Sequence, residues 1–318
     1  MNWVSPFSLS RAGILGMNRR NIEYIGAYNE RRFFPRVDNK LTTKLLATEA
    51  GLAVPGLIDV VETQHAIEQV EDKLAHLTAF VAKPAQGSGG KGILVITEAA
   101  DGKYVKASGA EISMTEVKRH LTNTISGLHS LGGRPDIAFL EELVKVDPMF
   151  NAYSHEGVPD IRLIVFQGFP VMGMLRLATK ASDGKANLHQ GAIGVGIDLA
   201  TGKAIQAVMH EQVVTHHPDT GADLRDIAIP DWDSLLLLAA RCFEVSELGY
   251  LGCDIVIDRQ HGPLILELNA RPGLSIQIAN NRGILPRLRH LQNRKQKELR
   301  HMALLERVEY AKTTLANL

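Results

Sequence analysis

Gly252-Cys253-Asp254-Ile255-Val256-Ile257-Asp258, a turn at Arg259 to Gly262, and Pro263-Leu264-Ile265-Leu266-Glu267-Leu268-Asn269 form the stretch on which the reading of this chain turns. Two apolar runs of strand length flank a short polar turn, the pattern of an antiparallel hairpin. With a four-residue loop, Asp258 faces Pro263, Val256 faces Ile265, and Asp254 faces Glu267 directly across the ladder. Like charges opposed in this way destabilise a sheet. Asn269 shares the face of Glu267, because side chains two apart on a strand point the same way. Two carboxylates and an amide oxygen, with room for water and phosphate, make the incomplete oxygen shell in which nucleotide enzymes hold Mg²⁺. The segment ends in Ala270-Arg271-Pro272-Gly273, a sharp turn that brings a guanidinium beside that face.

Working outward, strands are expected at 137–145, 161–167, 170–177, 192–198 and 203–212, as well as 252–258 and 263–269. Helices are expected at 41–50, 64–77, 113–131 and 231–248, the third opened by the capping-box pattern Ser113-x-x-Glu116. Phe80 to Lys83 and Ile93 to Thr97 read as a second hairpin. Strands linked mostly as hairpins, with few helices between, indicate an α+β fold rather than a parallel βαβ series. Residues 1–38 read as a polar, irregular arm that packs its aromatic rings on the body of the protein. Residues 286–318 read as one long helix with a basic first half, suited to a homodimer contact. His216-His217-Pro218-Asp219-Thr220-Gly221 has the composition of a surface turn.

Composition excludes several classes. The 318 residues carry 35 basic and 35 acidic side chains, so no global field draws the protein to nucleic acid or an anionic membrane. With 45% hydrophobic and 22% charged residues the chain is neither disordered nor a stapled miniature. No apolar stretch reaches the ~18 residues of a membrane helix and no secretory leader is visible. The only two cysteines, Cys242 and Cys253, make neither a metal site nor a disulfide framework. A cytoplasmic location fits these features.

A second candidate site lies in Val81-Ala82-Lys83-Pro84-Ala85-Gln86-Gly87-Ser88-Gly89-Gly90-Lys91-Gly92-Ile93. Four glycines and a serine between two short strands let several backbone N–H groups point at one anion. A Walker A loop is excluded, because the Gly-Lys-Ser/Thr order is absent and a strand follows. Lys83 on the strand and Lys40 at a helix start can supply charge to phosphate oxygens.

In this order the pieces resemble the ATP-grasp superfamily, and within it the RimK-like α-L-glutamate ligase branch, over Asp38 to Ser275. Asp38-Asn39-Lys40-Leu41-Thr42-Thr43-Lys44 resembles the first ATP-lysine segment, with Lys40 the better match and Lys44 the reserve. Lys83 matches the second ATP lysine, ahead of a phosphate-covering loop at Gly87, Ser88, Gly89 and Gly90. Phe139-Leu140-Glu141-Glu142-Leu143-Val144 resembles the hinge strand, which implies an adenine amino contact for Glu141 and a backbone contact for Leu143. Asp160-Ile161-Arg162 is similar to that branch's Asp-Ile-Arg and implies a ribose contact for Asp160. Asn187-Leu188-His189-Gln190-Gly191 resembles its Asn-Leu-His-x-Gly stretch. Asp254, Glu267 and Asn269 fall on the family's magnesium ligands.

The resemblance implies two α+β lobes with the nucleotide between them. The core runs over 39–285, with about 79–145 as the smaller, nucleotide-covering lobe. Only 38 residues precede it, where the family usually has a separate α/β domain, and Arg271 stands where the RimK branch commonly has a small residue. The implied cofactors are ATP and two Mg²⁺, with Mn²⁺ as an admissible replacement. The implied activity is ATP-dependent carboxylate–amine ligation through an acyl phosphate, adding glutamate or another amino acid to a small molecule, a peptide or a protein C-terminus. Arg162, Arg176, Lys180 and Arg271 are candidates for the transferred phosphate and the substrate carboxylate. His189 is a candidate general base or positioning group. Phosphorylation of a hydroxyl and non-catalytic nucleotide binding are the rival activities.

Overall fold

The computed structural model describes residues 5–87, 89–100, 102–294 and 296–318. The chain divides into two compact units. The smaller takes Asp38–Glu49 and Val54–Lys145, thus adding 38–49 and 54–78 to the 79–145 stretch. Its strands are β1 (Leu57–Val61), β2 (Phe80–Pro84), β3 (Leu94–Ala100), β4 (Lys103–Lys106), β5 (Glu111–Ser113) and β6 (Ala138–Glu141). They form one antiparallel sheet in the order β1-β6-β2-β3-β4-β5.

Strand alternation sorts this sheet into two faces. Phe80, Ala82, Leu94, Ile96, Ala138 and Leu140 enter one core with Val117 and Leu121 of the helix Met114–Ile125. Ser113 and Glu116 close the expected capping box at the start of that helix. Phe139, on the opposite face, packs with Ala85 and with Leu41 of the helix Lys40–Glu49. Lys83 lies directly across from Phe139, so its side chain is committed to that second face.

The larger unit takes Met1–Val37, Ala50–Ala53 and Val146–Leu318. Its strands are β7 (Asp160–Phe166), β8 (Phe169–Leu177), β9 (Ile193–Ile197), β10 (Ala204–Met209), β11 (Gln212–Val214), β12 (Tyr250–Asp258) and β13 (Gly262–Asn269). All pair antiparallel in the order β11-β10-β9-β8-β7-β12-β13. Every residue of β12 is buried, which a strand achieves only with both sheet faces covered. The helix Trp232–Ser246 packs on β7, β8, β12 and β13, and the short helix Ile276–Ala279 packs on β8, β9 and β10. Gly196 permits that second approach, because a Cβ there would meet the Ala279 carbonyl oxygen at 2.4 Å.

Several expectations are corrected. The deciding hairpin turns through three residues, pairing Asp258 with Gly262, Ile257 with Pro263, Val256 with Leu264 and Ile255 with Ile265. A bulge between Asp254 and Ile255 then shifts the register and restores the pair Asp254 with Glu267. The predicted opposition is therefore present, reached through a shorter turn and one extra residue on β13. The strand expected at 203–212 is a hairpin, β10 and β11, and the helix expected at 64–77 is two short helices, Gln64–Glu68 and Val70–Leu74. Strand 137–145 is confined to Ala138–Glu141, and the sequence pattern does not reveal β1, β4 and β5.

The arm at 1–38 is largely helical where it is described, with helices at Pro6–Arg11 and Pro35–Asp38 and continuous helical turns from Met17 to Tyr28. Its rings do pack inward. Tyr24 is fully buried, 5.6 Å from the ring of Phe166 and 5.9 Å from that of Tyr250. The long terminal helix is instead three, Leu285–Gln292, Gln296–His301 and Leu304–Thr313. Extended backbone at Ala303 breaks it, and Glu306 reaches back to the Ala303 N–H at 2.7 Å to start the last helix afresh. No helix among the described residues is long and apolar enough to cross a membrane.

Candidate active site

The larger unit gathers charge on one sheet face through register alone. Asp254 on β12 faces Arg162 on β7 and Glu267 on β13, while Asp160 on β7 faces Arg176 on β8. Arg162 grips Asp254 bidentately, Nε to Oδ1 at 2.7 Å and Nη2 to Oδ2 at 2.6 Å. Arg176 forks between two carboxylates, its Nη2 reaching Asp160 Oδ2 at 2.6 Å and Asp254 Oδ2 at 2.8 Å. Bidentate guanidinium–carboxylate pairs of this kind fix geometry as well as charge.

The two aspartates differ in protonation behaviour. Burial would raise the Asp254 carboxyl, but the guanidiniums of Arg162 and Arg176 overcome it and hold the group well below the ordinary carboxylate range. For Asp160, burial prevails over Arg176, the neighbouring Asp254 adds to it, and the group is pushed up to about 6. Its folded-state pKa thus lies above the 3.8 of the free side chain. The stability linked to that proton is complete below 3.8 and disappears as pH rises through about 6. Asp160→Asn is expected to flatten the pH dependence of the unfolding midpoint over that window; an unchanged profile would place the titration elsewhere.

Asp254, Glu267 and Asn269 share the face that holds the arginines. The Asn269 Oδ1 accepts from the Arg271 N–H at 2.9 Å. Among the described residues no group of three or more His, Cys, Asp or Glu side chains is placed to hold a metal. The candidate set is two carboxylates and one amide oxygen, with both Asp254 oxygens also accepting from Arg162 or Arg176. All are hard oxygen donors, which fits a magnesium-sized dication that takes its other ligands from water and phosphate. Arg271 lies over the Phe34 ring, 4.5 Å from its centroid. Lys180 is exposed just beyond β8, its backbone N–H held by Asp219 Oδ2 at 2.8 Å. His189 is exposed, and Asn187 Oδ1 caps its N–H at 3.0 Å, so the side chain of Asn187 shapes its own turn.

The His216–Gly221 turn does more than the sequence indicates. His217 is 1% exposed, and its Nδ1 accepts from the backbone N–H groups of Asp219 and Thr220 at 3.2 and 3.3 Å. The proton therefore resides on Nε2, which donates to the Ala178 carbonyl at 3.0 Å. With Asp219 on the Lys180 N–H, the turn pins the segment that leaves β8 toward residues 187–191. Only the pairing of a buried ring with a distant carbonyl reveals this, and no local pattern carries it.

In the smaller unit Lys44 and Lys83 converge on one carboxylate. Glu141 is 2% exposed; Lys44 Nζ reaches its Oε2 at 2.8 Å, and Lys83 Nζ is in contact with Oε1. Lys44 also donates to the Pro55 carbonyl. Burial pulls the Lys44 ammonium below its ordinary 10.5, with Glu141 opposing. Lys40, the better sequence match, donates instead to the Gly87 carbonyl at 2.8 Å, at the edge of the glycine-rich turn. Gly89 and Gly90 hold positive φ values of 63° and 75° with open space where a Cβ would stand. Leu143 lies past the end of β6, and Ser88 lies outside the described residues.

Two antiparallel sheets with flanking helices, one unit carrying a lysine pair beside a glycine-rich turn and the other an arginine–carboxylate network, define an α+β protein of ATP-grasp type. The chain belongs to the sugar-transfer associated ATP-grasp family, whose profile matches residues 19–293. None of the curated proteins matches it. Among solved structures it is similar to the ATP-grasp ligase PsnB complexed with minimal precursor, at 15% identity and a TM-score of 0.46, covering 83% of this chain and 62% of that one. D-alanyl-alanine synthetase A from Vibrio cholerae O1 biovar eltor str. N16961 shares 11% identity over 89% of this chain and 66% of its own, with a TM-score of 0.45. D-cycloserine synthetase DcsG shares 16% identity over 84% of this chain and 71% of its own, with a TM-score of 0.43. The chain spans less than two thirds of the length of PsnB.

Proposed function

We propose that this protein is an ATP-dependent carboxylate–amine ligase. The observation that carries the reading is Asp254 opposed to Glu267 on a face already bearing Arg162, Arg176 and Asp160. Phosphoryl transfer asks a protein to position reactants and neutralise charge rather than to form covalent bonds. Lys44 and Lys83 take phosphate oxygens of ATP, with Lys40 at the glycine-rich turn that covers them. Asp254, Glu267 and Asn269 would hold Mg²⁺, which would supply Lewis-acid charge for the phosphoryl transfer. Arg162 and Arg176 hold the substrate carboxylate and its transferred phosphate, and His189 receives a proton from the amine.

The acid or amine is glutamate or another amino acid in the reading drawn from the RimK-like branch. The family's association with sugar transfer favours a second class, an amino sugar or a uronic acid. Both give an acyl phosphate, whereas phosphorylation of a hydroxyl does not. With MgATP, hydroxylamine and pools of amino acids, amino sugars and uronic acids, a hydroxamate and ADP are expected together; ADP without hydroxamate would establish a kinase. Glu267→Ala is expected to lower ADP release at least about 100-fold, and undiminished turnover would remove Glu267 from the metal site.

A further inference from the structure

A cavity of about 290 Å³ opens within the larger unit, beside the 187–191 stretch, and of its lining only His189 has been given a role above. Leu188, Val208 and Ile278 form its apolar wall, and His189, His210, Glu211 and Ser275 its polar rim. Ile278 is 45% exposed, an apolar surface that a ligand would cover. The rim contains a single formal charge, the Glu211 carboxylate, and no lysine or arginine. Among the described residues, neither His210 nor Glu211 has an ion pair or side-chain hydrogen bond.

The backbone presents these two residues at a cost. Met209 pairs with Gln212, leaving His210-Glu211 as the two-residue turn between β10 and β11. Their φ values are 49° and 63°. A two-residue turn with both angles positive is the natural place for Asn-Gly, and a side chain such as Glu is disfavoured there. Strain retained at a cavity rim is the kind of outlier that points to function. The His210 ring also closes on the 187–191 stretch, since a Cβ on Gly191 would stand 3.2 Å from its Cε1.

We propose that this cavity seats the amine partner of the reaction, a primary amine on an apolar body of amino-acid size, with its ammonium drawn to Glu211. A carboxylate partner would meet like charge here and no cation, while the arginines suited to it lie on β7 and β8. The two imidazoles beside Glu211 offer acceptors for the protons of an ammonium. The assignment rests on the ligase reading and names the substrate class for one part of that site.

Binding of 3-methylbutylamine and of 3-methylbutanoate, which share one apolar body, is measured by calorimetry and NMR on the full chain without ATP. Saturable binding of the amine alone is expected, weakened about tenfold in Glu211→Gln, a change worth about 1.4 kcal/mol. Val208→Phe, which fills the cavity, is expected to abolish binding, with thermal unfolding confirming that both variants fold. Binding of the carboxylate as well as the amine, unchanged affinity in Glu211→Gln, or no saturable binding of the amine would overturn the proposal. Amine binding in a protein that never forms ADP or hydroxamate would sink the ligase reading alone. Turnover with an amine KM unmoved by Glu211→Gln would sink this cavity alone.

Discussion

Replacing Glu141 with alanine is expected to destabilise the smaller unit by about 3 to 5 kcal/mol, because it leaves buried ammonium groups without their counter-ion. Lys44 is 6% exposed and the Lys83 side chain 13% exposed, so neither reaches water freely. The carboxylate between them is itself 2% exposed. Removing one partner of a buried pair costs far more than removing all of it, so the triple variant Lys44→Met, Lys83→Met, Glu141→Leu should recover most of the loss. Urea unfolding at neutral pH reads both effects. A Glu141→Ala midpoint equal to that of the native chain would mean the lysines find other partners. The three groups also bear on nucleotide binding, since the lysines proposed for phosphate are held ready by a carboxylate. Glu141 thus pairs with two lysines, a contact that the resemblance, which implies an adenine contact for it, does not bring out.

The second large effect is expected at Asp254. Asp254→Asn keeps the shape of the side chain and removes the charge that Arg162 and Arg176 share, leaving both guanidiniums to Asp160. A loss of about 3 kcal/mol in stability is expected, together with a fall of at least about 100-fold in ADP formation. The pH dependence separates the two contributions. Asp254 titrates below its unfolded value of 3.8, so its stabilisation is present above 3.8 and lost as pH falls through the lower folded-state value. In the Asn variant that part of the acid-unfolding profile should vanish, whereas Asp160→Asn acts on the limb approaching about 6. An acid limb unchanged by Asp254→Asn would contradict the charge assignment whatever happened to activity.

Alternation on strands makes one part of this site legible in the amino-acid sequence. Glu267 and Asn269 share a face because they are two apart on one apolar run, and Asp254 joins them only in the register that sets it opposite Glu267, since a slip of one residue would send it to the other face. The expected turn is one residue too long, and the bulge beside Asp254 compensates, so the pair forms by a different route. Lys83 stands out as a strand lysine ahead of the glycine-rich turn and Glu141 through the family resemblance, but their partnership is not legible in the sequence. It depends on β2 pairing with β6, segments more than fifty residues apart in sequence, and on a helix that brings Lys44 to the same carboxylate.

The breaks in the terminal helices and the helical form of the N-terminal arm are hidden for a different reason. Apolar periodicity records which residues seek burial but not where the chain turns to bury them. Tyr24 goes inward to Phe166 and Tyr250, and Val308 and Ala311 are buried in the last of three helices, because the sheet offers surfaces that local pattern does not contain. The identity of most elements, their faces and the carboxylate pair were determined by the sequence alone, through residue type and a period of two. Which lysines meet Glu141, how Arg176 forks between Asp160 and Asp254, and that His217 holds the Ala178 carbonyl were decided only by the tertiary structure. Those outcomes depend on contacts between distant segments, where burial and charge pairing outweigh local preference.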